Sequence, residues 1–342
     1  MRTDYKILTA LLLTAALLHG CEGVDPGLND NNESGTEQQG EQGSGQEEQQ
    51  NQAQENGGYG ADLGSAKSPD YNENGSGEAG GYRLVWADYF NDGALDTSVW
   101  NVEVNGNGGG NSELQYYAAE NVNVGDDGYG RGCLILTAKK EESHGKHFTS
   151  GRLNSNQKKF FTYGKIESSI KLPKTANGLW PAFWMLGNDF NTVNWPRCGE
   201  IDILEMGQAN GIKYGTQEKY FNGALHWGPS WDNHPSYAKS SVNSYSMQDG
   251  EYHLFTMIWD DQAIRMYLDL DKHPDVEPYF TMDITDKTNE YSAGNYFHHD
   301  FFIVYDLAVG GNFPAIWNAD GITALADGPH SMYIDYILVY QK

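Results

Sequence analysis

The stretch Cys198-Gly-Glu-Ile-Asp-Ile-Leu-Glu-Met206 sets three carboxylic acids into an otherwise apolar run. Its apolar and β-branched residues Ile201, Ile203 and Leu204 favour a β-strand. Because side chains alternate between the two faces of a strand, Glu200 and Asp202 share one face and Glu205 is sent to the other. A β-bulge that adds one residue restores the parity of Glu205 and turns all three acids to one face. The sequence therefore predicts a bulged strand that carries a carboxylate cluster.

Such a cluster suits acid–base chemistry, because neighbouring carboxylates raise one another's pKa. Retaining glycosidases use two carboxyl groups roughly 5–5.5 Å apart, one ionised as nucleophile and one protonated as acid. The Cα atoms of Glu200 and Glu205 would lie on the order of 13 Å apart along the strand, so their side chains must lean together over a curved sheet. By spacing alone, a solvated polar face and a calcium site remain open as alternatives.

The sequence from residue 82 to 342 has the pattern that is typical of many short strands. Residues 332–340 alternate with a period of two, which is typical of a strand. Residues 252–259 and 264–270 flank Asp260-Asp261 and predict two strands joined by a tight turn. A helical pattern of useful length is not evident, so this domain is predicted to be a β-sandwich of two large antiparallel sheets.

Residues 1–20 have the pattern of an export leader, with Arg2 and Lys6 before an apolar stretch too short to span a bilayer comfortably. The leader ends Leu18-His-Gly-Cys21, which resembles the lipobox of bacterial lipoproteins, where the cysteine is lipidated. We therefore expect an exported bacterial lipoprotein that faces the periplasm or is displayed at the outer membrane or cell surface through Cys21. An ordinary cleaved leader is the alternative.

The segment 21–81 is acidic and poor in apolar residues, with thirteen Asp and Glu against Lys67 alone. It cannot bury enough surface to offset its ordering entropy, so a disordered tether is predicted. Of the total net charge of −25, about −14 remains for residues 82–342. Repulsion of polyanions then makes nucleic acid and sulfated polysaccharides poor partners and leaves neutral sugars.

The two remaining cysteines, Cys133 and Cys198, stand at no telling spacing. An exported protein could pair them. We favour two small buried residues with free thiols.

Ordered motifs around the acid strand resemble glycoside hydrolase family 16, in its laminarinase-like branch with a bulged catalytic strand. The resemblance runs from about residue 84 to 340, nearly the whole predicted domain. The motifs are Asn111-Ser-Glu-Leu-Gln-Tyr-Tyr117, Ser150-Gly-Arg-Leu153, Tyr163-Gly-Lys-Ile-Glu167, Gly178-Leu-Trp-Pro-Ala-Phe-Trp-Met-Leu186, Ala224-Leu-His-Trp227, Leu307-Ala-Val-Gly-Gly-Asn312 and Ile334-Asp-Tyr336.

This resemblance implies a concanavalin-like jelly roll of two curved antiparallel sheets with an open cleft. It implies endo-hydrolysis of β-1,3-glucan (laminarin) or mixed-linkage β-1,3/1,4-glucan with net retention. Glu200 would be the nucleophile, Asp202 its assistant, and Glu205 the general acid and then base. We expect the reaction to need no cofactor, the partner to be a neutral β-glucan polysaccharide and the protein to be a monomer.

The resemblance also implies residues that bind the sugar. Trp180 and Trp184 would stack on glucose, and three further residues would line the cleft, namely Asn111, Arg152 and His226. Plainer roles remain open: the tryptophans as core residues, Arg152 as the partner of an acid, and His226 as a structural histidine. For Glu113 we favour the plainer role, which is to hold a loop in place.

Two positions depart from the family pattern. Many relatives carry Asp-Glu-Phe where this chain has Asp88-Tyr-Phe90, and that glutamate helps to hold a structural calcium together with a late aspartate, here Asp335. A calcium site at Asp335 is thus left open. Asp306 stands where relatives usually carry Asn, which would alter hydrogen bonding in the cleft.

Other functions on the same sandwich are a surface glycan-binding protein that does not cut, a galactanase and a transglycosylase. A binding protein would not need all three acids. The negative domain disfavours sulfated galactans. The preferred linkage and the number of sugar subsites do not follow from the sequence.

Overall fold

A computed structural model describes residues 81–342. The predicted leader 1–20, the lipidation site Cys21 and all but the last residue of the predicted tether 21–81 lie outside the described residues. In the part of the chain that is described, no helix has the length and apolar character needed to cross a membrane.

Strands are the main regular structure of the described chain, and they are named here in chain order. The strands are β1 (Arg83–Asp88), β2 (Asn101–Val102), β3 (Gln115–Tyr117), β4 (Val122–Asp126), β5 (Gly132–Ser143), β6 (Lys146–Ser150), β7 (Arg152–Asn154), β8 (Phe160–Phe161), β9 (Gly164–Lys171), β10 (Leu179–Gly187), β11 (Glu200–Met206), β12 (Tyr220–His226), β13 (Ser236–Val242), β14 (His253–Trp259), β15 (Ala263–Leu268), β16 (Phe280–Asp283), β17 (Phe301–Val309) and β18 (His330–Gln341). The α-helices are α1 (Phe190–Val193) and α2 (Ala209–Tyr214), and 3-10 turns span Gly108–Gly110, Ala119–Asn121, Ala293–Asn295 and Ala319–Gly321.

These strands form two sheets, as the sequence predicts. One sheet follows the order β16-β15-β14-β9-β18-β5-β6-β3, with β1 on β18 and β4 on β5. The other, called here the cleft sheet, follows the order β13-β12-β11-β10-β17-β7-β2, with β8 on β17. The pairs are antiparallel except β3 with β6, which is parallel. The predicted jelly-roll sandwich is thus confirmed.

The main core lies between the sheets, because the inner side chains of each strand meet those of the opposite sheet. Phe183 of β10 and Ile201 of β11 pack there with Ile166 of β9, and all three are fully buried. Burying such a side chain contributes roughly 1.5–3 kcal/mol to folding. This core fixes which face of the cleft sheet turns outward.

The C-terminal strand β18 departs from the simple alternation that its sequence predicts. Its pairing with β9 shifts register between Ile334 and Tyr336. Ile334 faces the main core, but beyond the irregularity Ile337 does so, while Tyr336 packs in a second cluster on the other side. The inserted residue at the shift is Asp335, and it reverses the parity of every residue after it.

The predicted hairpin and the predicted state of the cysteines are both confirmed. β14 pairs with β15, and Asp260 Oδ1 caps the turn by accepting the backbone N–H groups of Gln262 and Ala263, each at 2.9 Å. Among residues 81–342, Cys133 and Cys198 are buried free thiols. Burial raises the pKa of each to about 12, so neither is reactive near neutral pH.

The surroundings of Asp335 do not fit a structural calcium ion, which the sequence leaves open at this residue. Arg131 Nη1 donates to its Oδ2 at 2.9 Å, while Oδ1 accepts no hydrogen bond from the described residues. The neighbouring acid, Asp127, is itself paired with Lys171 at 3.2 Å. Calcium takes six to eight oxygen ligands, whereas here Arg131 and Lys171 supply the positive charge that balances Asp335 and Asp127.

Candidate active site

The predicted bulge is present in β11. The pairing of β11 shifts register against both neighbours, and against β10 the extra residue is Ile203. Ile203 and Leu204 consequently both point into the core, and Glu205 returns to the outer face with Glu200 and Asp202. The buried hydroxyl of Tyr279 donates to the Ile203 carbonyl, which satisfies a backbone group at the bulge.

Register then places each acid in its own row across the cleft sheet. The neighbours on β10 and β12 are Ala182 and Asn222 beside Glu205, Trp184 and Ala224 beside Asp202, and Leu186 and His226 beside Glu200. The small side chains of Ala182 and Ala224 leave space above the acids, so the row pattern itself makes room for a ligand.

An open cleft of about 1000 Å³ lies over these rows. The three acids lie on its surface, and so do the residues that the sequence proposed as sugar contacts: Asn111, Arg152, Trp180, Trp184 and His226. The structure therefore brings the whole predicted set to one place.

Burial decides the electrostatics of the acids. Removal from water raises the pKa of Glu200 to about 7, against hydrogen bonding from Trp195 and the charge of Arg152. It raises the pKa of Glu205 to about 8, and the charge of Glu200 adds to this effect. The pKa of Asp202 lies well above its usual range for the same first reason, with Glu200 and Glu205 adding to it. Glu200 is thus the first of the glutamates to ionise, and Glu205 keeps its proton longer.

His226 is a polar neighbour of Asp202 rather than a charged partner. Its Nε2 lies 3.5 Å from Asp202 Oδ2. Burial lowers the pKa of His226 to about 4, so the ring is neutral at neutral pH. Glu200, Asp202 and His226 also form the one set of three metal-ligating side chains found within residues 81–342.

Each of the two predicted stacking tryptophans has one ring face covered by protein. Trp180 stacks on Phe313 with centroids 4.7 Å apart and donates Nε1 to Glu205 Oε1 at 3.1 Å. The Arg152 guanidinium lies 4.9 Å from the centroid of the Trp184 ring. Both rings border the cleft, which is compatible with contact to a sugar. Both also donate hydrogen bonds to acids of the cleft, Trp180 to Glu205 and Trp184 to Asp306.

Arg152 has the plainer role that was held open for it, in addition to lining the cleft. Its Nε donates to Glu103 Oε1 at 3.0 Å. Burial opposes the charge, but Glu103 and Asp306 outweigh that effect and raise the pKa of Arg152. Arg152 is therefore a fixed cation on the cleft wall.

The loop before β3 is held by Glu113, as predicted. Glu113 is buried, and its Oε2 accepts from Gln115 Nε2 at 2.6 Å and from the Tyr117 hydroxyl at 3.1 Å. A Cβ on Gly109 would lie 2.2 Å from this carboxylate, so glycine is required there. Asn111 follows the loop and lines the cleft beside it.

An aromatic group at the Glu200 end of the cleft was not predicted. Trp195 contacts both Trp231 and His234, with centroids 4.8 Å and 4.6 Å away. Trp231 is 61% exposed and lines the cleft. The signal that could have found it is the stretch Trp227-Gly-Pro-Ser-Trp231. Its Gly, Pro and Ser favour a surface loop, which places Trp231 on a loop.

Comparison with known proteins agrees with this geometry. The family model for Glycosyl hydrolases family 16 matches residues 110–291. The chain is 36% identical to the Clotting factor G alpha subunit of Tachypleus tridentatus over 76% of this chain and 34% of that subunit. It is 32% identical to Glucan endo-1,3-beta-glucosidase A1 of Niallia circulans, over 77% of this chain and 38% of that protein. The chain thus spans only about a third of the length of these two relatives.

A solved structure is similar over its full length. The Bacteroides ovatus mixed linkage glucan PUL GH16 in complex with G4G4G3G product is 43% identical and superimposes with a TM-score of 0.66. The match covers 75% of this chain and 100% of that one.

Proposed function

Because the protein belongs to glycosyl hydrolases family 16, we propose that it is an endo-β-glucanase that cleaves by double displacement with retention. The observation that carries this proposal is the bulge of β11, which turns Glu200, Asp202 and Glu205 into one cleft. A glycan-binding protein needs an open cleft too, but it gains nothing from three buried acids whose charges oppose one another.

In the first step, the ionised carboxylate of Glu200 attacks the anomeric carbon, and the bond to the departing sugar oxygen breaks. Glu205 gives its proton to that oxygen, which is the role that its higher pKa suits. The product is an ester between the sugar and Glu200. Burial, together with the charges of Glu200 and Glu205, raises the pKa of Asp202, which opposes a further negative charge beside the nucleophile.

In the second step, a water molecule attacks the same carbon from the side vacated by the leaving sugar. Glu205, now ionised, takes a proton from the water, and the ester bond breaks to return the carboxylate of Glu200. Two inversions give net retention. The hydrogen bond from Trp180 Nε1 orients the Glu205 carboxyl in both steps.

We favour mixed-linkage β-1,3/1,4-glucan as the main substrate, with β-1,3-glucan second. The 43% identical relative carries a mixed-linkage product, while a 32% identical relative is named for the 1,3-linkage. The test is a reducing-sugar assay of the purified protein on barley glucan and laminarin, with linkage analysis of the products and proton NMR of the anomer first released. Binding without new reducing ends would contradict the proposal.

Trp231 is expected to contact a sugar unit of a long substrate that lies away from the three acids. It lies at the Glu200 end of the cleft, 61% exposed, on a loop braced by hydrogen bonds from Arg197 to Pro229 and from Asn233 to Tyr291. Replacing Trp231 by Ala should raise KM for polymeric glucan by about 3- to 10-fold, the loss of one aromatic contact, and leave kcat little changed.

The control for Trp231→Ala is Tyr214→Ala, because Tyr214 is 65% exposed but lies on α2 outside the cleft lining. KM values should be compared on the polymer and on a short aryl glycoside that occupies only the sugar positions at the acids. An equal rise in KM on both substrates, or an equal effect of Tyr214→Ala, would remove Trp231 from the binding surface.

We also propose that the domain is held at a bacterial membrane through lipid on Cys21, with export directed by residues 1–20. The support is the leader pattern and the acidic composition of residues 22–81, which suits a spacer. Labelled palmitate should enter the wild-type chain in a bacterial host and be absent from Cys21→Ala. Cys133→Ala, which alters a buried thiol of the domain, should keep the label. Label retained in Cys21→Ala would refute the anchor.

A further inference from the structure

A fourth carboxylate, that of Asp306, belongs to the same cleft. It is 5% exposed and lines a recess together with the three acids of β11. Its Oδ1 accepts from Trp184 Nε1 at 2.6 Å, and its Oδ2 lies 3.1 Å from the Tyr117 hydroxyl. The reaction described above gives this group no role.

Register places Asp306 between a cation and the general acid. Arg152 on β7 pairs with Asp306 on β17, which pairs with Ala182 on β10, which pairs with Glu205 on β11. Directly paired residues point to the same face, so these four form one row. The Cα atom of Asp306 is two strand spacings, roughly 10 Å, from that of Glu205, and Arg152 is a further spacing away. Ala182, the residue between the two carboxyl groups in this row, is small, while Trp180 and Trp184 of the same strand donate hydrogen bonds to Glu205 and Asp306 respectively.

We propose that Asp306 is a positioning residue for the general acid: its carboxylate, which lies between Arg152 and Glu205 in this row, opposes the ionisation of Glu205 and so favours the form that holds the catalytic proton. This inference rests on the proposed glucanase function. Asp306 acts through Glu205 and Trp184 and does not itself touch the reacting atoms.

The charges around Glu205 support this role. The groups that face it are Glu200 and Asp202 on β11, Asp306 on β17, Arg152 on β7, His226 on β12, and Glu103, Glu113 and Tyr117 beyond them. Burial raises the pKa of Glu205 most, the charge of Glu200 adds to this, and Asp306 adds a smaller part, whereas Arg152 lowers the pKa of Glu200. Burial raises the pKa of Asp306 itself to about 6, so it is ionised where Glu205 must still hold its proton.

The hydrogen bonds show which substitution isolates the charge. The single hydroxyl hydrogen of Tyr117 cannot serve both Asp306 and Glu113, each 3.1 Å away. An asparagine at 306 accepts from Trp184 through Oδ1 and donates to Tyr117 through Nδ2, which leaves the Tyr117 hydrogen for Glu113. Asp306→Asn therefore keeps both partners, reverses the hydrogen bond with Tyr117 and removes the negative charge.

The experiment is the pH profile of kcat/KM on β-glucan for the wild type, Asp306→Asn and Glu103→Gln. The alkaline limb should move to lower pH by on the order of one unit in Asp306→Asn, the effect of a unit charge about 10 Å away. The difference should be greatest above pH 6, where Asp306 is ionised. Glu103→Gln removes an acid on the far side of Arg152 and should move the limb by less than half as much.

An active wild type whose alkaline limb coincides with that of folded Asp306→Asn would overturn the inference and leave the glucanase proposal standing. If the wild type cleaves no glucan, the proposed function fails, and a carbon-13 titration of the Glu205 carboxyl still decides: its midpoint should fall in Asp306→Asn, and an unchanged midpoint overturns the inference. Should Asp306→Asn not fold, Asp306→Ser, which is smaller and also uncharged, removes the same charge and should move the limb in the same direction.

Discussion

Replacing Glu200 by Gly is expected to lower kcat on β-glucan by roughly 10⁴-fold or more, because the nucleophile is lost and no ester can form. Azide, which fits the space of the missing carboxylate, should restore cleavage of an aryl β-glucoside oligosaccharide. The product should be a glycosyl azide of inverted anomeric configuration, since azide displaces the leaving group in one step. Proton NMR of the azide product measures this.

The matched control for the nucleophile is Glu200→Gln, which keeps shape and removes charge. Burial raises the pKa of Glu200 in the folded state, so ionising it costs stability as pH rises above its unfolded value near 4.5. Above that pH, Glu200→Gln should melt at the same temperature as the wild type or a higher one. Glucan turnover near the wild-type rate in a folded Glu200→Gln protein would show that the nucleophile has been assigned to the wrong residue.

Replacing Glu205 by Ala is expected to lower glucan hydrolysis by roughly 10²- to 10⁴-fold, the usual contribution of a general acid. An aryl glycoside with a good leaving group should lose much less in the first step, because its departure needs no proton. Azide should then attack the ester on Glu200 and give a glycosyl azide of retained configuration. Opposite stereochemistry from the two variants is the decisive measurement.

The two variants check one another. An inverted azide from Glu205→Ala, or an equal loss on glucan and aryl glycoside, would mean that Glu205 does not protonate the leaving group. Trp180→Phe is a useful companion, since it removes the one hydrogen bond from Trp180 to Glu205 but keeps an aromatic ring. It should change the pH dependence of kcat/KM without the large loss of glucan hydrolysis that is expected for Glu205→Ala.

Much of the site could be predicted because it is local in the chain. The odd offset of Glu205 on a strand predicts a bulge, and in the structure the bulge lies at Ile203. Trp180 and Trp184 share a face for the same reason of parity. The predicted alternation of β18 was wrong beyond Asp335. The register shift there arises in the pairing with β9, and the alternating sequence does not reveal it.

The sequence by itself determined the bulged acid strand and the two-sheet class, since both depend on side-chain periodicity and residue type, and its family resemblance indicated five further residues that line the cleft. Only the tertiary structure decided the pairing of Arg152 with Glu103, the hydroxyl of Tyr279 under the bulge, and the row from Arg152 through Asp306 and Ala182 to Glu205. Neighbours across strands follow from the register of whole sheets, and the pKa of a carboxyl follows from how much water those neighbours exclude.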